Sequence, residues 1–394
     1  MTTLASPSSS ASMARTLNPT WPLLALAIGA FGIGTTEFAP MGLLPVIAEG
    51  VQATIPEAGM LVTAYALGVM LGAPVMTLLF GRLRVKTALM TLMGIFVAGN
   101  LLSAVAPGYW SLLAARLVTS LNHGAFFGLG SVVAASLVPP HKRASAVAMM
   151  FMGLTVANIG GVPAAAWIGQ QIGWRMAFAA TAGLGVLAIV ALALTLPRGE
   201  AGRMPDVRRE LRVLARPQVL LALGVTVMGA GAMFTLYTYV APMLHSETGA
   251  SSGVVTLALV LIGVGFTVGN WLGGRLSEWS LDGATRLFLA ALALIMLALP
   301  LLLPSTVGAL AGLLIWGAAA FAIVPPVQTR VMQAAADAPG LASSVNIGAF
   351  NLGNAVGAAA GGAVIAAGWG YAAVPLAGAA LAAAGLVLAW RGTR

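Results

Sequence analysis

Glu37, Arg116 and His123 are the residues of this chain whose types and surroundings suit proton chemistry. Glu37 lies in Gly34-Thr35-Thr36-Glu37-Phe38-Ala39-Pro40, within an apolar run from Trp21 to Val46. An ionised carboxylate alone in hydrocarbon is expensive, so a proton, a partner or water must neutralise it, and such residues mark ion or substrate paths. Arg116 and His123 share a helical stripe, because seven steps of about 100° return to within about 20° of the start. Ser120 falls on that stripe, and Phe127 extends it by a turn. Counted from the outer ends of their spans at about 1.5 Å per residue, Glu37 lies about 13 Å deep, Arg116 about 10 Å and His123 about 21 Å. Glu37 and Arg116 are therefore expected to meet, each favouring the other's charged form. An imidazole that titrates near pH 6.5 in water suits a relay. The competing readings are a permanent ion pair that fixes helix packing and a neutral core histidine.

Other polar groups inside apolar stretches do not titrate near neutral pH. Asn158, Tyr237, Tyr239, Gln328, Asn346 and Asn351 can donate and accept hydrogen bonds to a neutral ligand, while Phe126, Phe127, Phe234 and Trp316 offer apolar faces. Interhelical packing is the alternative for each, and Asn122, turned away from the Arg116 stripe, reads as glue between helices. Arg82 and Lys86 in one inner loop, with Arg275 and Glu278 in its second-half counterpart, are candidate gate charges. Solvated anchoring charges are the alternative.

The elements that position these residues are membrane helices. Hydrophobic residues make up 59% of 394 positions and charged residues 7%, against about 25% charged in soluble proteins. Apolar stretches near the length of about 20 residues that a span requires fall at 21–46, 57–80, 87–107, 109–137, 144–168, 175–197, 217–243, 252–274, 285–305, 307–329, 341–365 and 370–390. The net charge of +9 follows this topology and does not call for a nucleic-acid partner. With the N-terminus inside, every Lys and Arg except Arg116 and Arg175 falls on the inner side, as the positive-inside rule requires. Both termini are thus expected in the cytoplasm.

Residues 1–20 read as a disordered cytoplasmic tail, 21–197 and 217–394 as two six-helix domains, and the Arg-rich 198–216 as the linker between them. Weak signs of duplication support two parallel repeats: Gly72 with Gly81-Arg82-Leu83 against Gly265 with Gly274-Arg275-Leu276, and Ala39-Pro40-Met41 against Ala241-Pro242-Met243. The chain has no cysteine, which excludes disulfides and thiolate chemistry, and its three histidines and ten acids lie mostly in loops, so no metal or other cofactor is expected.

Several segments carry a resemblance to the major facilitator superfamily, specifically its drug–proton antiporter branch with the bacterial sugar and arabinose efflux proteins. They are Gly34-Thr35-Thr36-Glu37-Phe38 with Met41-Gly42-Leu43-Leu44-Pro45, Leu121-Asn122-His123-Gly124-Ala125-Phe126-Phe127-Gly128, Gly173-Trp174-Arg175-Met176-Ala177-Phe178, Tyr237-Thr238-Tyr239-Val240-Ala241-Pro242, and Asn346 to Asn354. Three family motifs are altered. Gly81 replaces the aspartate of the inner loop, Ser120 stands at the usual glycine after Arg116, and Gly160-Gly161-Val162-Pro163 splits the glycine–proline pair of the fifth helix. The resemblance implies an all-α fold of twelve transmembrane helices and alternating access around a cavity lined by helices 1, 4, 7 and 10.

The expected activity is proton-coupled export of a drug-like compound or a sugar across the inner membrane by a monomer, with protons as the coupling ion. The alternative is a proton-independent uniporter or importer of a small polar solute. No paired carboxylates, metal spacing or nucleophile–base arrangement appears in the spans, so an enzyme is not expected.

Overall fold

The computed structural model describes residues 19–80, 83–139, 143–197, 212–213, 215–335 and 339–391. The tail at 1–18, Arg82 and most of the 198–216 linker lie outside the described residues. Among the described residues, twelve helices are long and apolar enough to cross a membrane: α1 (Thr20–Gly50), α2 (Ile55–Thr77), α3 (Val85–Ala104), α4 (Tyr109–Ser136), α5 (Ala146–Gln171), α6 (Trp174–Thr195), α7 (Pro217–Tyr237), α8 (Ser252–Trp279), α9 (Leu281–Leu302), α10 (Thr306–Ala334), α11 (Val345–Ala366) and α12 (Tyr371–Arg391). A short helix, Val240–Thr248, prolongs α7 after a turn at Thr238 and Tyr239. α1 runs four residues past the expected end at Val46, with Pro40 and Pro45 inside it.

Breaks in the helices coincide with lost hydrogen bonds. α4 turns at Leu121 and Asn122, just before His123. α5 carries a π-helical turn at Ala157–Gly161, closed by a bond from the Val162 N–H to the Ala157 carbonyl. The next residue, Pro163, has no N–H to continue an α-helical ladder, and five-residue spacing is the result.

Between lipid-bathed helices there is no hydrophobic drive to associate, so close backbone approach must hold them. On α8, Gly265, Gly269 and Gly273 form a stripe facing the Leu314, Ala318 and Ala322 carbonyls of α10. On α11, Gly357 faces the backbone of Gly231 and Thr235 on α7. The first six and last six helices meet along α2 against α11 and α5 against α8, where the Asn158 backbone of the π turn faces Gly263.

The end of the bundle away from the basic residues is sealed across the halves. Leu44 and Ala48 of α1 and Ala58 of α2 join Tyr239 and Val374 in one buried apolar cluster. Thr256 of α8 donates to Gln170 of α5 across the same seam, at 3.4 Å. Arg175 is tied there, donating to the Ala106 carbonyl at 2.8 Å and stacking 4.2 Å from the Trp174 ring. At the basic end, Lys86 donates to the Ala193 and Leu196 carbonyls at the close of α6, 2.6 and 2.8 Å away, where a cation also complements the helix dipole. Arg330 of α10 pairs with Asp282 of α9 at 2.6 Å.

Candidate functional site

α1 and α4 place the titratable groups against each other. Glu37 and His123 are both almost wholly buried, and the Glu37 carboxylate lies 3.9 Å from His123 Nε2. That separation exceeds a direct hydrogen bond and is within ion-pair range when His123 is protonated. On its other side, His123 Nδ1 lies 3.2 Å from the Tyr65 hydroxyl of α2. The imidazole is thus held between an acid and a phenol, with Phe127 packed on it at 5.2 Å between centroids.

Arg116 does not pair with Glu37 as the depth estimate leads one to expect. Its guanidinium does not take the Glu37 carboxylate; Nη1 donates to the Thr36 carbonyl at 3.0 Å and to the Thr36 hydroxyl at 3.3 Å. The Thr36 hydroxyl in turn donates to Asn100 of α3 at 2.6 Å. Arg116 also stacks 4.2 Å from the Tyr65 ring. Its Nε and Nη2 find no hydrogen-bond partner among the described residues. The estimate failed because α1 ends at Gly50: Glu37 is thirteen residues from that end and His123 fourteen from the start of α4 at Tyr109, or about 20 and 21 Å at the helical rise. His123, and not Arg116, shares the depth of Glu37.

Beside Glu37, Phe38 carries the site across to the second half. Its ring lies 6.0 Å from Phe234 and 5.7 Å from Tyr237, both on α7. Tyr237 contacts Phe266 of α8 and Trp316 of α10 at 5.4 and 5.9 Å, and its hydroxyl donates to Asn158 of α5 at 3.5 Å. Phe234, Tyr237 and Asn158 therefore converge beside the acid. Phe127, against His123, and Trp316, against Tyr237, border the same region, whereas five other expected lining residues lie elsewhere. Phe126 packs within the first half over Gly29 of α1. Tyr239 belongs to the sealed end, where its hydroxyl donates to the Ala358 carbonyl at 2.8 Å. Asn351 bonds back to the Ile347 carbonyl at 3.0 Å. Gln328 and Asn346 form a separate chain with Thr226 joining α7, α10 and α11, Thr226 donating to Asn346 at 2.7 Å and Asn346 to Gln328 at 2.5 Å.

Of the candidate gate charges, Lys86 is engaged at the end of α6, Arg275 lies 5.8 Å from the Trp271 ring one turn back on its own helix, and Glu278 is exposed. Asn122 is fully buried, yet both ends of its amide lack partners among the described residues, so it does not act as the hydrogen-bonding glue expected of it. The residues that sequence reasoning missed are Tyr65, Thr36 and Asn100. Their only signal was a hydrogen-bonding group within an apolar span.

Comparison with known proteins gives this site its setting. The profile of the Major Facilitator Superfamily matches residues 26–347. The chain is 64% identical over 374 residues to the inner membrane transport protein YdhP of Escherichia coli (strain K12), covering 95% of this chain and 96% of that one. It is 32% identical to a probable sugar efflux transporter of Mannheimia succiniciproducens, covering 87% and 86%. In fold it is similar to a D-xylose–proton symporter, with a TM-score of 0.77 over 94% of this chain and 97% of the other, at 16% identity. Twelve membrane-length helices and near full-length matches to transporters carry one conclusion: this chain is a membrane transporter of small solutes and belongs to the Major Facilitator Superfamily.

Proposed function

We propose that the chain is a proton-coupled exporter of a small molecule, acting by alternating access in a bacterial inner membrane with both termini in the cytoplasm. The observation that carries this reading is the buried Glu37 carboxylate 3.9 Å from His123 Nε2. It is a proton-exchanging pair placed where helices of the two halves meet. In the tautomer in which His123 Nδ1–H donates to the Tyr65 hydroxyl, Nε2 is left unprotonated, faces Glu37 and can accept its proton. Arg116 positions this pair by gripping α1 at Thr36 and the Tyr65 ring by cation–π attraction.

In the cycle, Glu37 takes a proton when the site faces outward and releases it through His123 when cytoplasmic substrate enters beside Phe38. The similarity to the probable sugar efflux transporter of Mannheimia succiniciproducens and the resemblance to the antiporter branch support the outward direction. Uptake into everted membrane vesicles tests the reading. Substrate should collapse an imposed pH gradient with the native chain and not with Glu37→Gln; unchanged coupling in that variant would sink the assignment.

A further inference from the structure

The rings beside Glu37 carry one hydrogen-bond donor that the protein leaves unused. Trp316 is fully buried, its ring 5.9 Å from Tyr237 and 6.0 Å from Phe266, and its indole Nε1–H has no partner among the described residues. Buried polar groups without a partner are rare because each forfeits the hydrogen bond it had in water. In a transporter that opens and closes around its cargo, an orphaned donor among aromatic faces is a place prepared for an acceptor that arrives with the ligand. The other polar atoms of the nest are already engaged with each other, the Tyr237 hydroxyl with the Asn158 side-chain oxygen.

We propose that the site transports planar aromatic molecules bearing a carbonyl or comparable acceptor, and that Trp316 Nε1–H is the donor that receives it. Phe38 belongs to the first half, and Phe234, Tyr237 and Trp316 to the second. A flat ring can enter between them when the halves part on the cytoplasmic side, replacing ring–ring contacts with ligand–ring contacts of the same kind. A monosaccharide fits poorly. It brings several hydroxyls, each of which loses water on entry, and the nest offers one free donor among rings. The chemistry of the lining thus favours an aromatic cargo over a sugar.

This inference rests on the transport reading above, and an equilibrium binding measurement separates the two because binding needs no proton gradient. The full chain in nanodiscs is titrated with coumarin, with its carbonyl-free ring analogue 2H-chromene, and with arabinose, each against protein-free nanodiscs. Coumarin should bind saturably, 2H-chromene about fivefold more weakly, the loss expected for one neutral hydrogen bond, and arabinose should fail to displace coumarin at hundredfold excess. In Trp316→Phe the difference between coumarin and chromene should vanish. Should that variant fail to fold, the ligand pair on the native chain still decides. Equal binding of the pair, an undiminished difference in Trp316→Phe, displacement by arabinose or absence of saturable coumarin binding would each overturn the proposal. Coumarin binding retained in Glu37→Gln, with coupling lost, would uphold both readings separately.

Discussion

The Tyr65 hydroxyl lies 3.2 Å from His123 Nδ1 while the ring of the same residue lies 4.2 Å from the Arg116 guanidinium. One side chain of α2 thereby links the base of the site to the arginine that grips α1, and its two contacts can be removed separately. Tyr65→Phe keeps the ring and loses the hydroxyl. Proton-driven transport assayed between pH 6 and 8 should lose its native pH profile in this variant, while thermal stability falls by only about 1 kcal/mol, the usual net worth of a hydrogen bond. Tyr65→Leu also removes the cation–π contact and should cost about 1–2 kcal/mol more. An unaltered pH profile in Tyr65→Phe would count against its role at His123.

Arg116 and lysine are not equivalent at this position. Arg116→Lys keeps the charge but gives up the planar fork that reaches Thr36 and lies over Tyr65. Arg116→Met leaves no charge but also no grip on α1. Thermal unfolding in detergent should show both variants destabilised, by about 2–4 kcal/mol, since each disrupts a buried polar network. A loss of transport with unchanged stability would instead give Arg116 a direct part in proton movement.

How much of this was legible in the sequence divides along physical lines. The membrane made Glu37, Arg116 and His123 conspicuous because charge in hydrocarbon is costly wherever it occurs. The twelve spans were legible for the same reason. The pairing among the three residues was not, because it depends on where α1 stops: the apolar run suggested an end near Val46, and the helix instead continues to Gly50. A shift of four residues is about 6 Å along a helix, enough to exchange one partner for another. Tyr65 escaped notice because a neutral phenol in an apolar span looks like packing until its neighbours are known. Phe126 and Tyr239 were read as lining because a sequence gives the side of one helix without the helix that covers it.

The glycine contacts divide sharply into tolerant and intolerant positions. A side chain at Gly357 would meet the backbone of Gly231 and Thr235, whereas one at Gly94 meets nothing within 4 Å. Gly357→Val should therefore lower thermal stability by about 1–3 kcal/mol or more through overpacking. Gly94→Ala should be neutral or stabilising by up to about 1 kcal/mol, since alanine is the better helix former. Equal effects at the two positions would contradict the close approach of α7 and α11.

Lys86 offers a test that separates anchoring from gating. Its ammonium closes the carbonyls of Ala193 and Leu196, so Lys86→Met should cost about 1 kcal/mol and increase hydrogen exchange at the end of α6. Transport rates should change little if anchoring is its main role. A large change in transport with normal exchange would restore Lys86 to the gate.

The π turn of α5 sets the angular register of everything after it. One surplus residue between Ala157 and Gly161 advances the rest of the helix by about 100° relative to an uninterrupted one, and that offset aims Gln170 at Thr256 across the seam. Removing a single residue from the turn would relax the backbone locally yet swing the whole Val162–Gln171 segment onto a different face. The seal between the halves is in that sense written as a counting rule, in which the number of residues matters more than their identity.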